Sequence, residues 1–290
     1  MGETIACANQ KGGVGKTTTV VNLASYLAIA GDRVLVVDLD PQGNATSGFG
    51  IDRTRDRSVY DAVIDQVRLE DLAVATMVDG VTLIPSSIAL AGAEVELTPL
   101  EQRERRLAGL LDPIRADYDY ILIDCPPSLG LLTINALTAA DSTLIPIQCE
   151  YFALEGLGQL LATIRLVTDH LNPRLAIKGA VLTMFDSRTR LSSEVGDEVR
   201  RHLGDRVYDT VIPRAVRLAE APSHGLPIHL YAPGTRGADA YRDLADELRR
   251  RDERPKLKPL VAVGPGIAGG TTPEIDAAAP THTQPEAVLA

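Results

Sequence analysis

A glycine-rich loop, set between a short apolar run and an unbroken helical stretch, constrains this chain more than any other feature. It reads Asn9-Gln-Lys-Gly-Gly-Val-Gly-Lys-Thr-Thr18. Before it, Thr4-Ile-Ala-Cys-Ala8 suits a buried parallel strand. After it, residues 16–30 contain no proline or glycine, carry apolar side chains at helical spacing, and stop at Gly31, a good C-terminal cap. Strand, loop and helix in that order put unpaired backbone N–H groups at a helix N-terminus, where they attract phosphate. The general phosphate-loop pattern is Gly, four residues, then Gly-Lys-Ser/Thr. Here Gln10 stands where the first glycine belongs and Lys11 follows it, so the loop carries one lysine more than the pattern needs. Gly12, Gly13 and Gly15, with Val14 between them, still let the backbone close around phosphate oxygens. Lys16 is expected to reach the β- and γ-phosphates and the Thr17 hydroxyl to ligate Mg2+, with Thr18 completing the cradle. ATP and Mg2+ are therefore the expected ligands.

Two further apolar runs end in acids. Arg33-Val-Leu-Val-Val37 leads into Asp38 and Asp40, and alternate residues of a strand share one face, so both carboxylates can face the nucleotide if the strand runs that far. Tyr120-Ile-Leu-Ile-Asp124 has the form of a Walker B strand, with Asp124 reaching Mg2+ through a water. The proline-stiffened turn Cys125-Pro-Pro-Ser-Leu-Gly130 follows it.

The segment Lys-Gly-Gly-Val-Gly-Lys-Thr-Thr18 resembles the deviant Walker A loop of the ParA/MinD ATPase superfamily. Val36-Val-Asp-Leu-Asp-Pro-Gln-Gly-Asn-Ala-Thr-Ser47 narrows the resemblance to the ParA (Soj-like) partition branch. Asp119–Ser128, Thr183-Met-Phe-Asp-Ser-Arg-Thr189 and the stretch from Val211 to Gly225 agree in order, so the likeness covers residues 1 to about 250. It implies that Lys11 crosses a dimer interface to the partner's phosphates, that Asp40 positions the attacking water, and that Asp38 belongs to the magnesium environment. It implies a turn at 125–130 that senses the γ-phosphate. Pro213 and Arg214 are base-side candidates, and His224 matches the family without a chemistry of its own. The implied cycle has an ATP-bound homodimer on nonspecific double-stranded DNA, released by hydrolysis that a ParB-like centromere-binding partner stimulates. The implied location is cytoplasmic and nucleoid-associated.

Alternating apolar strands and amphipathic helices predict an α/β class, a doubly wound, mostly parallel sheet with helices on both faces. Aromatic residues make up only 4%, with no tryptophan, so the core has to be aliphatic. Further strands are expected at 81–84, 142–147, 179–184 and 207–212, and helices at 58–65, 101–116, 131–140, 152–171, 192–203 and 238–251. The ATPase domain is expected at 1–252. Residues 253–290 are rich in Pro, Gly and Ala without helical periodicity, and are expected to be a disordered tail. No amphipathic membrane helix, membrane span or signal peptide is expected, nor an N-terminal helix-turn-helix. Three widely spaced cysteines imply neither a disulfide framework nor an iron–sulfur site.

The net charge of −10 opposes nucleic-acid binding unless positive charge is local. Residues 188–217 hold seven arginines against five acids, so the local excess is small and only its placement can matter. Arg188 and Arg217 match family positions associated with DNA, with Arg190 and Arg200 as further candidates. The basic cluster at 249–258 is explained as well by a helix C-terminus, which favours cations. Two other readings share the loop: an enzyme that phosphorylates a small acid, and a positioning ATPase for another cargo.

Overall fold

The computed structural model describes residues 2–150 and 153–253. In chain order the elements are β1 Glu3–Cys7, α1 Lys16–Ile29, β2 Val34–Asp38, α2 Asn44–Gly48, α3 Val59–Asp65, β3 Val74–Ala75, β4 Val81–Ile84, α4 Leu90–Leu97, α5 Arg106–Leu111, β5 Tyr120–Asp124, α6 Leu131–Ala139, β6 Ser142–Gln148, α7 Ala153–His170, β7 Ala176–Phe185, α8 Arg190–Leu203, β8 Val207–Pro213, α9 Val216–Glu220, α10 Ile228–Tyr231 and α11 Arg236–Arg251. The strands form one eight-stranded sheet in the order β3-β4-β2-β5-β1-β6-β7-β8, parallel throughout except for the antiparallel edge pair β3–β4. Helices cover both faces, as the alternation implies. Leu90, Leu107, Leu132, Leu160 and Val199 pack on one face of the sheet, and Leu23, Leu27, Tyr241, Leu244 and Leu248 on the other. The fully buried set is dominated by Ala, Val, Leu and Ile, the aliphatic core that the composition requires.

The registers locate the site. Cys7 at the end of β1 and Asp38 at the end of β2 both lie opposite Asp124 at the end of β5. Parallel strands deliver their C-terminal ends to one edge of the sheet, where loops converge and open α/β sheets bind ligands.

Several boundaries differ from the periodicity. The expected helix over 101–116 is a turn, then α5, then a 3-10 stretch Asp112–Asp117. Pro113 has no N–H to give the α ladder, so the tighter helix takes over. α3 starts where expected because Ser58 and Asp61 form a reciprocal capping box. Short α2, α4, α9 and α10 carry no period long enough to be read, and β7 extends beyond 179–184 at both ends. The expected tail lies outside the described residues apart from Glu253. Among the described residues no helix is long and apolar enough to cross a membrane. The three cysteines are free and buried.

Candidate nucleotide site

The loop between β1 and α1 is held open by its glycines and pinned at several points. Gly13 has φ +74° and Gly15 φ +88°, left-handed values that a side chain makes costly. Gly15 is also the N-cap of α1, with no side-chain cap of its own, so the helix presents bare N–H groups to the loop. The Asn9 carboxamide stitches the loop to the sheet: Nδ2 donates to the Pro146 carbonyl at 2.8 Å, and Oδ1 accepts from the Lys11 N–H at 3.0 Å. Thr183, at the end of β7, donates its hydroxyl to the Val14 carbonyl at 2.8 Å. Lys16 is buried, and its Nζ donates to the Lys11 carbonyl at 3.3 Å. The Lys11 ammonium instead lies outside the cradle, 3.0 Å from Glu150 Oε2. The two lysines of the motif therefore occupy distinct places, one within the loop and one at its mouth.

The acids are arranged differently from the alternation argument. β2 ends at Asp38, so Asp40 is placed by a turn, not by the strand. Its Oδ1 accepts from the Gln42 N–H at 3.0 Å and its carbonyl accepts from the Gly43 N–H at 2.8 Å and the Ser86 hydroxyl at 2.7 Å. Asp38 Oδ2 accepts both the N–H and the hydroxyl of Thr46 at 2.7 Å, and Oδ1 accepts from the Asp40 N–H at 3.3 Å. Thr46 in turn accepts from the Ser86 N–H at 2.9 Å. Burial pushes the Asp38 carboxyl up to about 6, against the opposing pull of the Thr46 bonds. Sequence reasoning missed Asn9, Thr46, Ser86, Glu150 and Thr183 as site residues. Thr46 and Thr183 lie in stretches that carry the family likeness, but Ser86 has no local signal at all.

Asp124 is fully buried and both its carboxylate oxygens lack a hydrogen-bond partner among the described residues. Burial first, then the Asp38 carboxylate, push its pKa well up; the nearby Thr17 hydroxyl and Lys16 ammonium oppose this. Two unsatisfied oxygens in a buried carboxylate fit a hydrated divalent cation. Among the described residues no cluster of three or more His, Cys, Asp or Glu could hold a metal alone. That donor set suits Mg2+, which keeps several waters and takes one or two carboxylates together with substrate phosphates.

Pro213 closes β8, and the Arg214 N–H donates to the Phe185 carbonyl at 3.2 Å, so both lie at the same sheet edge as the loop. Arg214 also lies 3.7 Å from Glu150 Oε1. Gly225 approaches Gly50 so closely that a Cβ would lie 2.8 Å from the Gly50 Cα, and both have positive φ. His224 stacks on Tyr231, with centroids 4.7 Å apart. That turn is a packing device joining the α9 region to α2.

The four arginine candidates are dispersed. Arg188 precedes α8 and is paired with Asp186 at 2.8 Å, an interaction that holds the Asp186 carboxyl down to about 2. Arg190 opens α8 and pairs with Glu194 at 2.7 Å. Arg217, on α9, pairs with Glu220 at 2.8 Å. Arg200 lies ten residues beyond Arg190 on α8, about 15 Å along the axis, and is 4.0 Å from Asp197. Arg188 and Arg217 follow the C-terminal ends of the adjacent parallel strands β7 and β8, whereas Arg200 is carried away from that edge.

Comparison with known proteins agrees with this construction. A family model described as an AAA domain matches residues 2–177. The chain is 59% identical over 249 residues to the sporulation initiation inhibitor protein Soj of Bacillus subtilis, covering 86% of this chain and 98% of that one. It is 52% identical over 257 residues to the chromosome partitioning protein ParA of Caulobacter vibrioides, covering 87% and 96%. A crystal structure of cobyrinic acid a,c-diamide synthase from Mycobacterium smegmatis with bound ADP and magnesium superposes with a TM-score of 0.77 at 40% identity, covering 89% of this chain and 100% of that one. The septum site-determining protein MinD of Pyrococcus horikoshii, complexed with Mg-ADP, gives 0.71 at 26%, covering 87% and 98%. With a deviant phosphate loop on β1, acids closing β2 and β5, and likeness over nearly the full length of its relatives, this chain belongs to the ParA/Soj family of chromosome-partitioning ATPases.

Proposed function

We propose that this ATPase works as a nucleotide-gated DNA clamp. Each protomer holds ATP on Gly12–Thr18, with Lys16 on the phosphates and Pro213 and Arg214 beside the base. Thr17 and Asp124 hold Mg2+ with Asp38 behind them; the ion supplies charge neutralisation at the β- and γ-phosphates. Asp40 orients the attacking water in line with the γ-phosphate, where catalysis is mostly positioning. The switch turn 125–130 reports the γ-phosphate. Lys11 reaches into the partner's site and makes ATP the condition for a homodimer, since two facing triphosphates repel without cations between them. The dimer binds double-stranded DNA without sequence preference through Arg188 and Arg217, with Arg190 beside them and Arg200 peripheral. Hydrolysis, stimulated by a ParB-like partner, dissolves the dimer and frees the DNA, placing the protein on the nucleoid in the cytoplasm.

The observation that carries this reading is the division of labour between the two lysines. Lys16 is buried in the cradle, whereas the Lys11 ammonium stands at its mouth. The arginine ion pairs do not oppose DNA binding, because exposed pairs are worth about 0–1 kcal/mol and a phosphate can take the guanidinium over. Binding to a random-sequence duplex with ATP, ADP or no nucleotide, across a salt series, tests the whole. Salt-sensitive binding with ATP alone is expected, and Arg188→Ala should flatten the log–log salt slope by about 1 per protomer, about 2 for the dimer. Asp40→Ala should keep ATP and DNA but lose turnover. Fast turnover without a partner, raised by a small carboxylic acid and indifferent to DNA, would sink the reading in favour of an acid-activating enzyme.

A further inference from the structure

We infer that Glu150 is a positioning residue that holds Lys11 within its own protomer, and that Lys11 leaves it when the dimer forms. The inference rests on the proposed crossing of Lys11 and names what that crossing displaces. The backbone of Lys11 is fixed at both ends: its N–H donates to Asn9 Oδ1 at 3.0 Å and its carbonyl accepts from Lys16 Nζ at 3.3 Å. Only the side chain is left to choose a partner, and in this structure it chooses Glu150 Oε2 at 3.0 Å. The carboxylate is itself held in place. Its Oε1 accepts from Gln148 Nε2 and faces Arg214 at 3.7 Å, while its N–H donates to the Gln148 carbonyl at 2.8 Å. The topology makes the meeting systematic, because β1 and β6 are parallel neighbours whose C-terminal ends release the loop and residue 150 side by side. Both side chains remain partly exposed, 34% for Lys11 and 43% for Glu150, so the pair is accessible to a competitor. A triphosphate presented by a second copy is such a competitor, with more charge than one carboxylate. Glu150 then sets a threshold: Lys11 stays at home until ATP is present on the facing protomer.

An exposed ion pair of this kind favours its closed form by a factor of about 1.5–5. A dimer opens two of them, so Glu150→Gln, which keeps shape and the Gln148 contact but not the charge, should tighten the dimer about 2- to 25-fold. The measurement is sedimentation of the full chain with saturating non-hydrolysable ATP analogue and Mg2+. It is paired with the rate at which acetic anhydride modifies Lys11 in the nucleotide-free protein, read by mass spectrometry. Faster Lys11 modification together with a tighter dimer in Glu150→Gln is the expected result, and Glu150→Asp, too short to reach, should behave likewise. Unchanged Lys11 modification overturns the ion pair whatever the dimer does. Faster modification with an unchanged or weaker dimer overturns the threshold. If wild-type protein does not dimerise with the analogue, the crossing itself fails and the threshold falls with it, while the modification rates still report the pair.

Discussion

Removing one hydroxyl, in Thr46→Val, should unseat both acids of the hydrolytic edge. Thr46 Oγ1 donates to Asp38 Oδ2 at 2.7 Å and accepts from the Ser86 N–H at 2.9 Å, and Ser86 then holds the Asp40 carbonyl at 2.7 Å. All four residues are buried. Valine keeps the shape, so the loss is polar: a bond to a charged group, about 1.5–3 kcal/mol, and a buried N–H left unpaired, about 1–3 kcal/mol. The two together come to about 2.5–6 kcal/mol at pH 8. For a domain of this size each kcal/mol moves Tm by about 2–4 °C, so a fall of roughly 5–24 °C is expected. The effect should shrink at low pH. The Asp38 pKa is raised to about 6 in the fold, so below that value the carboxyl is neutral and the lost bond is an ordinary one of about 1 kcal/mol. Thermal unfolding of nucleotide-free protein at pH 8 and pH 5 reads both numbers. Thr46→Ser, which keeps the hydroxyl and loses a methyl, should cost only about 1 kcal/mol. A drop below 2 °C at pH 8, or Thr46→Ser as damaging as Thr46→Val, would refute the bracing argument.

Two predictions concern buried ionisable groups. Asp124→Asn should leave the nucleotide-free protein at least as stable as wild type at pH 8, because it removes a buried charge that burial and the Asp38 carboxylate disfavour more than Thr17 and Lys16 support. A carboxylate with a raised folded pKa contributes most below its unfolded value of about 4 and less as pH rises, so the variant's advantage should vanish only as pH falls to about 4 and below. Mg2+-dependent turnover should fall about 100-fold, and a loss above about 2 kcal/mol at pH 8 would contradict that reading. His229 has the opposite sign: burial beside Tyr26 pushes its imidazole down to about 4. Its stabilising share is complete above pH 6.5 and lost as pH falls toward 4, up to about 3 kcal/mol before screening at its exposed edge. Urea midpoints of His229→Leu should therefore be flatter than wild type across that window, and parallel curves would rule this out.

The parts of the site legible in the sequence are those where a backbone shape or a ligand dictates a residue type. Gly13 and Gly15 are needed for positive φ, Lys16 and Thr17 are the types proposed for phosphate and cation, and Asp124 ends a buried strand. The alternation argument does not reach Asp40, since β2 stops at Asp38 and a turn supplies its position. Thr46 and Ser86 were silent because their chemistry is a contact across 40 residues of sequence, with no periodicity or motif to announce it. Pro113 was visible, yet only the structure shows that it converts a helix into a 3-10 stretch. The arginines carry the same lesson in charge: residue type says where cations are, but only the structure shows that Arg188 and Arg217 are already engaged by Asp186 and Glu220. Lys11 shows the division most clearly. A motif specifies the atoms that meet a ligand, and so the sequence marks Lys11 and its distance from Lys16. What holds Lys11 between ligands lies 139 residues away and is specified by strand order, because only a sheet that places β6 beside β1 brings Glu150 to the mouth of the loop. Gating, on this argument, is a property of topology before it is one of motif, and relatives that keep the loop but reroute β6 would keep ATP binding while losing the threshold.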